Sequence, residues 1–121
     1  MMESMESRKD IYIEDRPWGK FEKYVENERC TVKTLYIKPN SQTSLQYHDK
    51  RDELWKVLKG SIIIVVNDTK YQLGENDSFY IKRGLKHQII NLEKPSMILE
   101  ISTGYFDEND IVRLKDIYNR I

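Results

Sequence analysis

The 121-residue chain has one cysteine, Cys30, and two histidines, His48 and His87. A single cysteine excludes an internal disulfide framework and any zinc site built from several thiolates. Charge of one sign is missing as well: 20 Lys and Arg balance 20 Asp and Glu, so no global field favours nucleic acid or an anionic membrane, and an anionic ligand needs a local cluster of cations. No apolar run approaches the roughly 18 or more residues of a membrane-spanning helix. Residues 1–10 are polar, with neither an apolar stretch nor a small-residue cleavage site, so the expected location is the cytoplasm. With no electropositive partner in view, Cys30 reads as a small buried residue without a chemical role.

What the chain does have is short apolar segments at nearly regular spacing. Residues 31–38, 43–48, 53–58, 61–66, 69–73, 78–82, 86–92 and 97–102 are rich in Val, Ile, Leu, Tyr and Phe. Turn residues separate them: Pro39-Asn40, Gly60, Asn67-Asp68, Gly74 to Asp77, Gly84 and Lys94-Pro95. Many short strands with tight turns predict an all-β antiparallel sandwich or barrel, and Asn67-Asp68 predicts a two-residue hairpin. After Gly104 the period changes. Ile111, Leu114, Ile117, Tyr118 and Ile121 recur at spacings of three and four behind acidic residues 107–110, which predicts a short C-terminal amphipathic helix. Without linkers or repeats, residues 11–121 read as a single domain preceded by a loosely held segment, 1–10.

One constellation carries chemistry. Gln46 and His48 lie two apart on a predicted strand and so face the same way. Glu53 opens the next strand on a face shared with Trp55 and Val57, bringing a carboxylate into an apolar interior. His87 opens a later strand that an antiparallel barrel returns across from the first pair. Two imidazoles, a carboxylate and an amide oxygen suit a divalent ion such as Zn²⁺, Mn²⁺, Fe²⁺ or Co²⁺.

These positions resemble the two motifs of the cupin superfamily. The first, Gly, five residues, His-x-His, three or four residues, Glu, six residues, Gly, is matched in register by Asn40, Gln46-x-His48, Glu53 and Gly60. The second, Gly, five residues, Pro-x-Gly, two residues, His, three residues, Asn, is matched by Asn76, Lys82-Arg83-Gly84, His87 and Asn91. The implied fold is a cupin β-barrel, the double-stranded β-helix or jelly roll. A narrower resemblance, to type II mannose-6-phosphate isomerases, runs through Arg16-Pro17-Trp18-Gly19, Ser44 to His48, Arg51, Glu53, Trp55, Glu100-Ile101, Gly104-Tyr105-Phe106 and residues 110–120. That family binds its metal through Gln, His, Glu and His, which implies Gln46, His48, Glu53 and His87 as ligands of Zn, Mn or Co. The chain departs from it at Asp49, Lys82 and Asn119, where histidine, proline and glycine are usual.

The resemblance implies a mannose-6-phosphate isomerase in a stand-alone cupin form, interconverting mannose 6-phosphate and fructose 6-phosphate. Moving a carbonyl from C1 to C2 needs a base and stabilisation of negative charge on the sugar oxygens. Glu100, alternating with Leu99 and Ile101, is the candidate base. The phosphosugar would be held by Arg51 and Arg113 first, with Lys33, Arg83 and Lys86 as weaker candidates. Trp18, Trp55 and Tyr36 read as core or pocket wall. Two alternatives stand beside this reading: another metal-binding cupin, either a nucleotide-sugar isomerase or a dioxygenase, and a non-catalytic sugar-binding cupin. Exposed strand edges also predict a homodimer by sheet extension.

Overall fold

A computed structural model describes residues 11–120. The segment 1–10, expected to be loosely held, and Ile121, expected on the final helix, lie outside the described residues. Among the described residues, eleven strands run in the order β1 (Tyr12–Arg16), β2 (Gly19–Lys23), β3 (Cys30–Ile37), β4 (Leu45–Tyr47), β5 (Arg51–Lys59), β6 (Ile62–Val66), β7 (Thr69–Leu73), β8 (Ser78–Ile81), β9 (His87–Asn91), β10 (Ser96–Gly104) and β11 (Val112–Lys115). Beside the β1–β2 hairpin, a four-stranded sheet, β3-β10-β5-β8, faces a five-stranded one, β11-β4-β9-β6-β7, and every pairing is antiparallel.

Strict alternation builds the interior. β6 buries Ile62, Ile64 and Val66 and turns Ile63 and Val65 outward, as the two-residue period of a half-buried strand requires. Both sheets supply the core: Trp55, Val57, Phe79, Ile81 and Ile98 from one, and Ile62, Ile64, Val66, Tyr71, Leu73 and Ile89 from the other. Each fully buried Ile, Leu or Val contributes roughly 1.5–3 kcal/mol against leaving it in water. Tyr71 and Phe79 span the gap between sheets with ring centroids 4.9 Å apart. No helix among the described residues is long and apolar enough to cross a membrane.

The turns explain how the motif survives its substitutions. Asn40 and Asn76, standing where the cupin pattern has glycine, have φ of 54° and 72°, and Asn119 has φ of 58°. Asparagine is among the few side chains that enter this left-handed region readily. Gly60 has no such substitute: at φ 86° a Cβ would meet Ser96 Oγ at 2.5 Å and the Pro95 carbonyl at 2.9 Å. Asn67 and Asp68, both at positive φ, form the expected two-residue hairpin turn between β6 and β7.

Several expectations are corrected. The C-terminal helix is absent; residues 112–115 form β11, which pairs with β4 and covers an edge that would otherwise be open. The three-and-four spacing misled because the run is short and carries β-branched Ile111 and Val112, while its acids make turns rather than a helix cap. Asp107 Oδ1 accepts from Asn109 N, and Asp116 accepts from the N–H groups of Tyr118 and Arg120. Cys30 is exposed at the start of β3 instead of buried. Of the three aromatics expected in the core or pocket wall, Trp55 is interior and Tyr36, 74% exposed on the outer face of β3, lines a shallow depression with Pro39 and Met97, whereas Trp18 at the β1–β2 turn is 72% exposed. The β1–β2 hairpin lies ahead of residues 31–38, the first segment that the apolar pattern marks as strand.

Candidate metal centre

The strand registers assemble the site at one end of the barrel. Gln46, in the middle of β4, is the Cα partner of His87 on β9 and of Arg113 on β11, while His87 is also the partner of Val66. Directly opposed residues of antiparallel strands share a face, so Arg113, Gln46, His87 and Val66 form one row. The other sheet contributes two rows: Lys33, Glu100, Trp55 and Phe79, and beside it Thr31, Ser102, Glu53 and Ile81. Glu53, Trp55, Glu100 and Ser102 are all buried.

Ligand atoms of His48, Glu53 and His87 lie within 4.8 Å of one another. His48 Nε2 is 3.4 Å from Glu53 Oε2, and His87 Nε2 is 3.7 Å from Glu53 Oε1. Each ring is oriented through its other nitrogen: His48 Nδ1 donates to the Asp110 carbonyl at 2.6 Å, and His87 Nδ1 donates to the Leu85 carbonyl at 2.9 Å. A carbonyl only accepts, so both Nδ1 atoms carry the proton; on the neutral rings Nε2 is then the acceptor, taken on His48 by Arg51 Nη2 and facing Glu53 on His87. Burial pushes the His87 pKa down against the pull of the Glu53 carboxylate, which keeps that imidazole neutral as a ligand must be. Glu53 Oε1 and His87 Nε2 are buried without a hydrogen-bond partner among the described residues. This donor set, with two orphaned atoms facing each other, fits a divalent cation. Gln46 shares the His87 face, and its Oε1 accepts from Ser44 Oγ at 2.9 Å, leaving a second lone pair on that oxygen.

Arg51, the first residue of β5, stands inside the cluster and is 7% exposed. Its Nε donates to Glu53 Oε2 at 3.0 Å, its Nη2 to His48 Nε2 at 3.3 Å and its Nη1 to the Asp107 carbonyl at 3.2 Å. The guanidinium also lies over the Phe106 ring at 4.5 Å. The loop before it is tied down by Asp110, whose carboxylate accepts from Asp49 N and Lys50 N, both at 2.9 Å. Partial burial raises the Asp110 pKa, but these two bonds outweigh it and hold the group below its ordinary value.

Glu100 accepts from Trp55 Nε1 at 3.2 Å. Burial first, then the neighbouring Glu53 carboxylate, push its pKa to about 7 against the pull of Lys33. Lys33 lies nearer solvent, its Nζ 3.6 Å from Glu108 and 4.4 Å from the centre of the Phe106 ring. Arg113 has its Nε buried and unpartnered. Arg83 is an exposed partner of Asp52, bonded at 3.2 Å through Nε. Lys86 is not brought to the site: it is exposed, and its N–H donates to Asn67 Oδ1 beside the β6–β7 turn. A depression of about 730 Å³, lined by Lys59, Gly60, Glu75 and Leu92 among others, opens at the other ends of β5 and β6; the buried titratable groups gather with the histidines. Sequence reasoning missed Asp110 and Leu85, which act through backbone carbonyls and leave no side-chain signature. It also missed Ser102, although its two-residue spacing from Glu100 marks the shared face.

Fold and site together define a cupin barrel with a candidate divalent-metal centre. The chain belongs to the family described as "Mannose-6-phosphate isomerase C-terminal", whose sequence profile matches residues 2–116. It is 39% identical over 108 residues to the mannose-1-phosphate guanylyltransferase ManC of Salmonella typhimurium, covering 88% of this chain and 22% of that protein. It is 37% identical over 108 residues to the mannose-1-phosphate guanylyltransferase of Escherichia coli, covering 88% of this chain and 23% of that one. The chain thus spans under a quarter of the length of these relatives. Among solved structures it resembles oxalate decarboxylase of Bacillus subtilis, a protein described with Mn(II) centres, at TM-score 0.63 and 26% identity over 73% of this chain and 25% of that one.

These names correct the expected enzyme. The relatives are named for guanylyltransferase, a different activity from mannose-6-phosphate isomerase. The physical reason is that strand register and ligand spacing specify the barrel and its donor set, and one donor set serves several reactions.

Proposed function

We propose that this chain holds a divalent ion on Gln46, His48, Glu53 and His87 and uses it to bind a sugar phosphate of mannose metabolism, moving a proton at the carbon beside the sugar's carbonyl. The observation that carries the reading is the pairing of Glu53 Oε1 with His87 Nε2, two buried orphaned acceptors beside a second imidazole already set with its lone pair inward. Membership of the family and the guanylyltransferase names of the relatives support mannose phosphates as the substrate class.

When bound, the ion supplies Lewis acidity toward sugar oxygens. Glu100 takes and returns the proton at its carboxylate, since a pKa of about 7 keeps both protonation states populated near neutrality. Trp55 Nε1 fixes the orientation of that carboxylate. Arg51 neutralises charge beside Glu53, and Arg113, whose Nε has no hydrogen-bond partner among the described residues, takes the phosphate with help from Lys33. Phe106 shields Arg51 on one side. The reading includes a cytoplasmic protein and a homodimer formed through sheet edges, which light scattering tests; β3 and β8 end one sheet, β11 and β7 the other.

The test is to load the protein with Mn²⁺ or Zn²⁺, titrate it with mannose 6-phosphate by calorimetry, and follow incorporation of solvent deuterium at C2 by NMR. Metal-dependent binding with exchange that Glu100→Gln abolishes is expected. Absence of binding with any divalent ion overturns the reading, and binding without exchange removes the proton-transfer step.

A further inference from the structure

Among the described residues, four buried side-chain atoms lack a hydrogen-bond partner: Glu53 Oε1, His87 Nε2, Ser102 Oγ and Arg113 Nε. All four belong to the rows that build the metal end of the barrel. Buried polar groups in folded proteins are almost always paired, and an orphan marks a place where something outside the chain completes the bond. The sugar-phosphate reading uses three of them: Glu53 and His87 for the ion, Arg113 for the phosphate. Ser102 is left over.

Its position is well defined. Ser102 is 2% exposed and is the Cα partner of Glu53 across β10 and β5. It lies two residues from Glu100 and therefore on the same inner face. The hydroxyl thus sits beside both the proposed ligand carboxylate and the proposed base. It both donates and accepts, which matches a sugar hydroxyl and not a phosphate that already has cations.

We propose that Ser102 is a specificity-determining residue, hydrogen-bonding one hydroxyl of the bound sugar phosphate and discriminating against the sugar that lacks it. The inference rests on the sugar-phosphate reading. A site built to bond a hydroxyl rejects the deoxy analogue because a buried group is then left unpaired.

The experiment compares the metal-loaded protein with its Ser102→Ala and Ser102→Thr variants. Each is titrated with mannose 6-phosphate and with its 2-, 3- and 4-deoxy analogues, and Mn²⁺ affinity and melting temperature are measured in parallel. The unaltered protein should prefer the parent sugar over one analogue by about tenfold, the size of a neutral hydrogen bond. Ser102→Ala should bind that analogue and the parent alike, with Mn²⁺ affinity unchanged and a melting temperature equal or higher, because the lost hydroxyl had no partner. Ser102→Thr, which keeps the hydroxyl, should keep the preference. An alanine variant that retains the full preference overturns the inference. So does one that loses Mn²⁺ affinity instead, since Ser102 would then be positioning Glu53. If the unaltered protein binds no mannose 6-phosphate, the sugar-phosphate reading fails and takes this inference with it.

Discussion

Glu53 Oε1 and His87 Nε2 face each other at 3.7 Å in the barrel interior, and neither has a hydrogen-bond partner among the described residues. The His87 ring keeps its proton on Nδ1 for the Leu85 carbonyl, so two acceptors oppose each other across a gap sized for a cation. Divalent ions should therefore stabilise the fold. An ion present at about a hundred times its dissociation constant adds about 2.7 kcal/mol, several degrees of melting temperature for a domain of this size. Thermal scans with and without Mn²⁺ and Zn²⁺ check this, and Glu53→Gln should lose most of the shift.

Arg51 provides a sharper contrast. Its guanidinium donates to Glu53 Oε2 and His48 Nε2, engaging lone pairs that an ion needs. Arg51→Ala should bind metal at least as tightly as the unaltered protein, because two donors that compete for the ligand lone pairs are gone. Chelator competition reads this. Weaker metal binding would show that Arg51 positions Glu53 instead of competing at it.

The raised pKa of Glu100 carries a signed pH dependence. Its ordinary value is 4.5, and in the fold burial together with Glu53 lifts it to about 7. Between those values the folded chain retains a proton that the unfolded chain has lost. Stability from this group is thus fully present below about pH 4.5 and falls as pH rises to 7, by roughly 3 kcal/mol in total. Glu100→Gln removes the effect. In metal-free protein the stability of the unaltered chain relative to the variant should decline from pH 5 to pH 8 in denaturant titrations; a constant difference would place Glu100 at an ordinary pKa.

Asn40 tests the turn chemistry. At φ 54° it occupies the left-handed region in the place of a motif glycine. Asn40→Gly should be neutral or slightly stabilising, and Asn40→Ala should cost about 1 kcal/mol, measured by chemical denaturation.

Much of this was legible in the residues. Residues 69–73 were read with the observed bounds of β7, and the two motifs gave the register that brings His48, Glu53 and His87 together, because a period of two fixes which side chains share a face. The end of the chain was not legible. Ile111, Leu114 and Ile117 fit a helical stripe as well as a strand, and the deciding factor was the open edge of β4, a tertiary fact. Trp18 reads as core or pocket wall, although a hairpin turn admits an exposed aromatic. The reaction was legible only as far as the donor set, since one barrel and one donor set serve several reactions.

The most direct measurement is metal stoichiometry. The protein and its His48→Ala and His87→Ala variants are equilibrated with Mn²⁺ or Zn²⁺, dialysed, and assayed for bound ion by elemental analysis. About one ion per chain in the unaltered protein and almost none in either variant is the expected result, because loss of one imidazole from a closed donor set removes most of the affinity. An unaltered protein that retains no ion, or histidine variants that retain as much as it does, would contradict a metal centre at His48, Glu53 and His87.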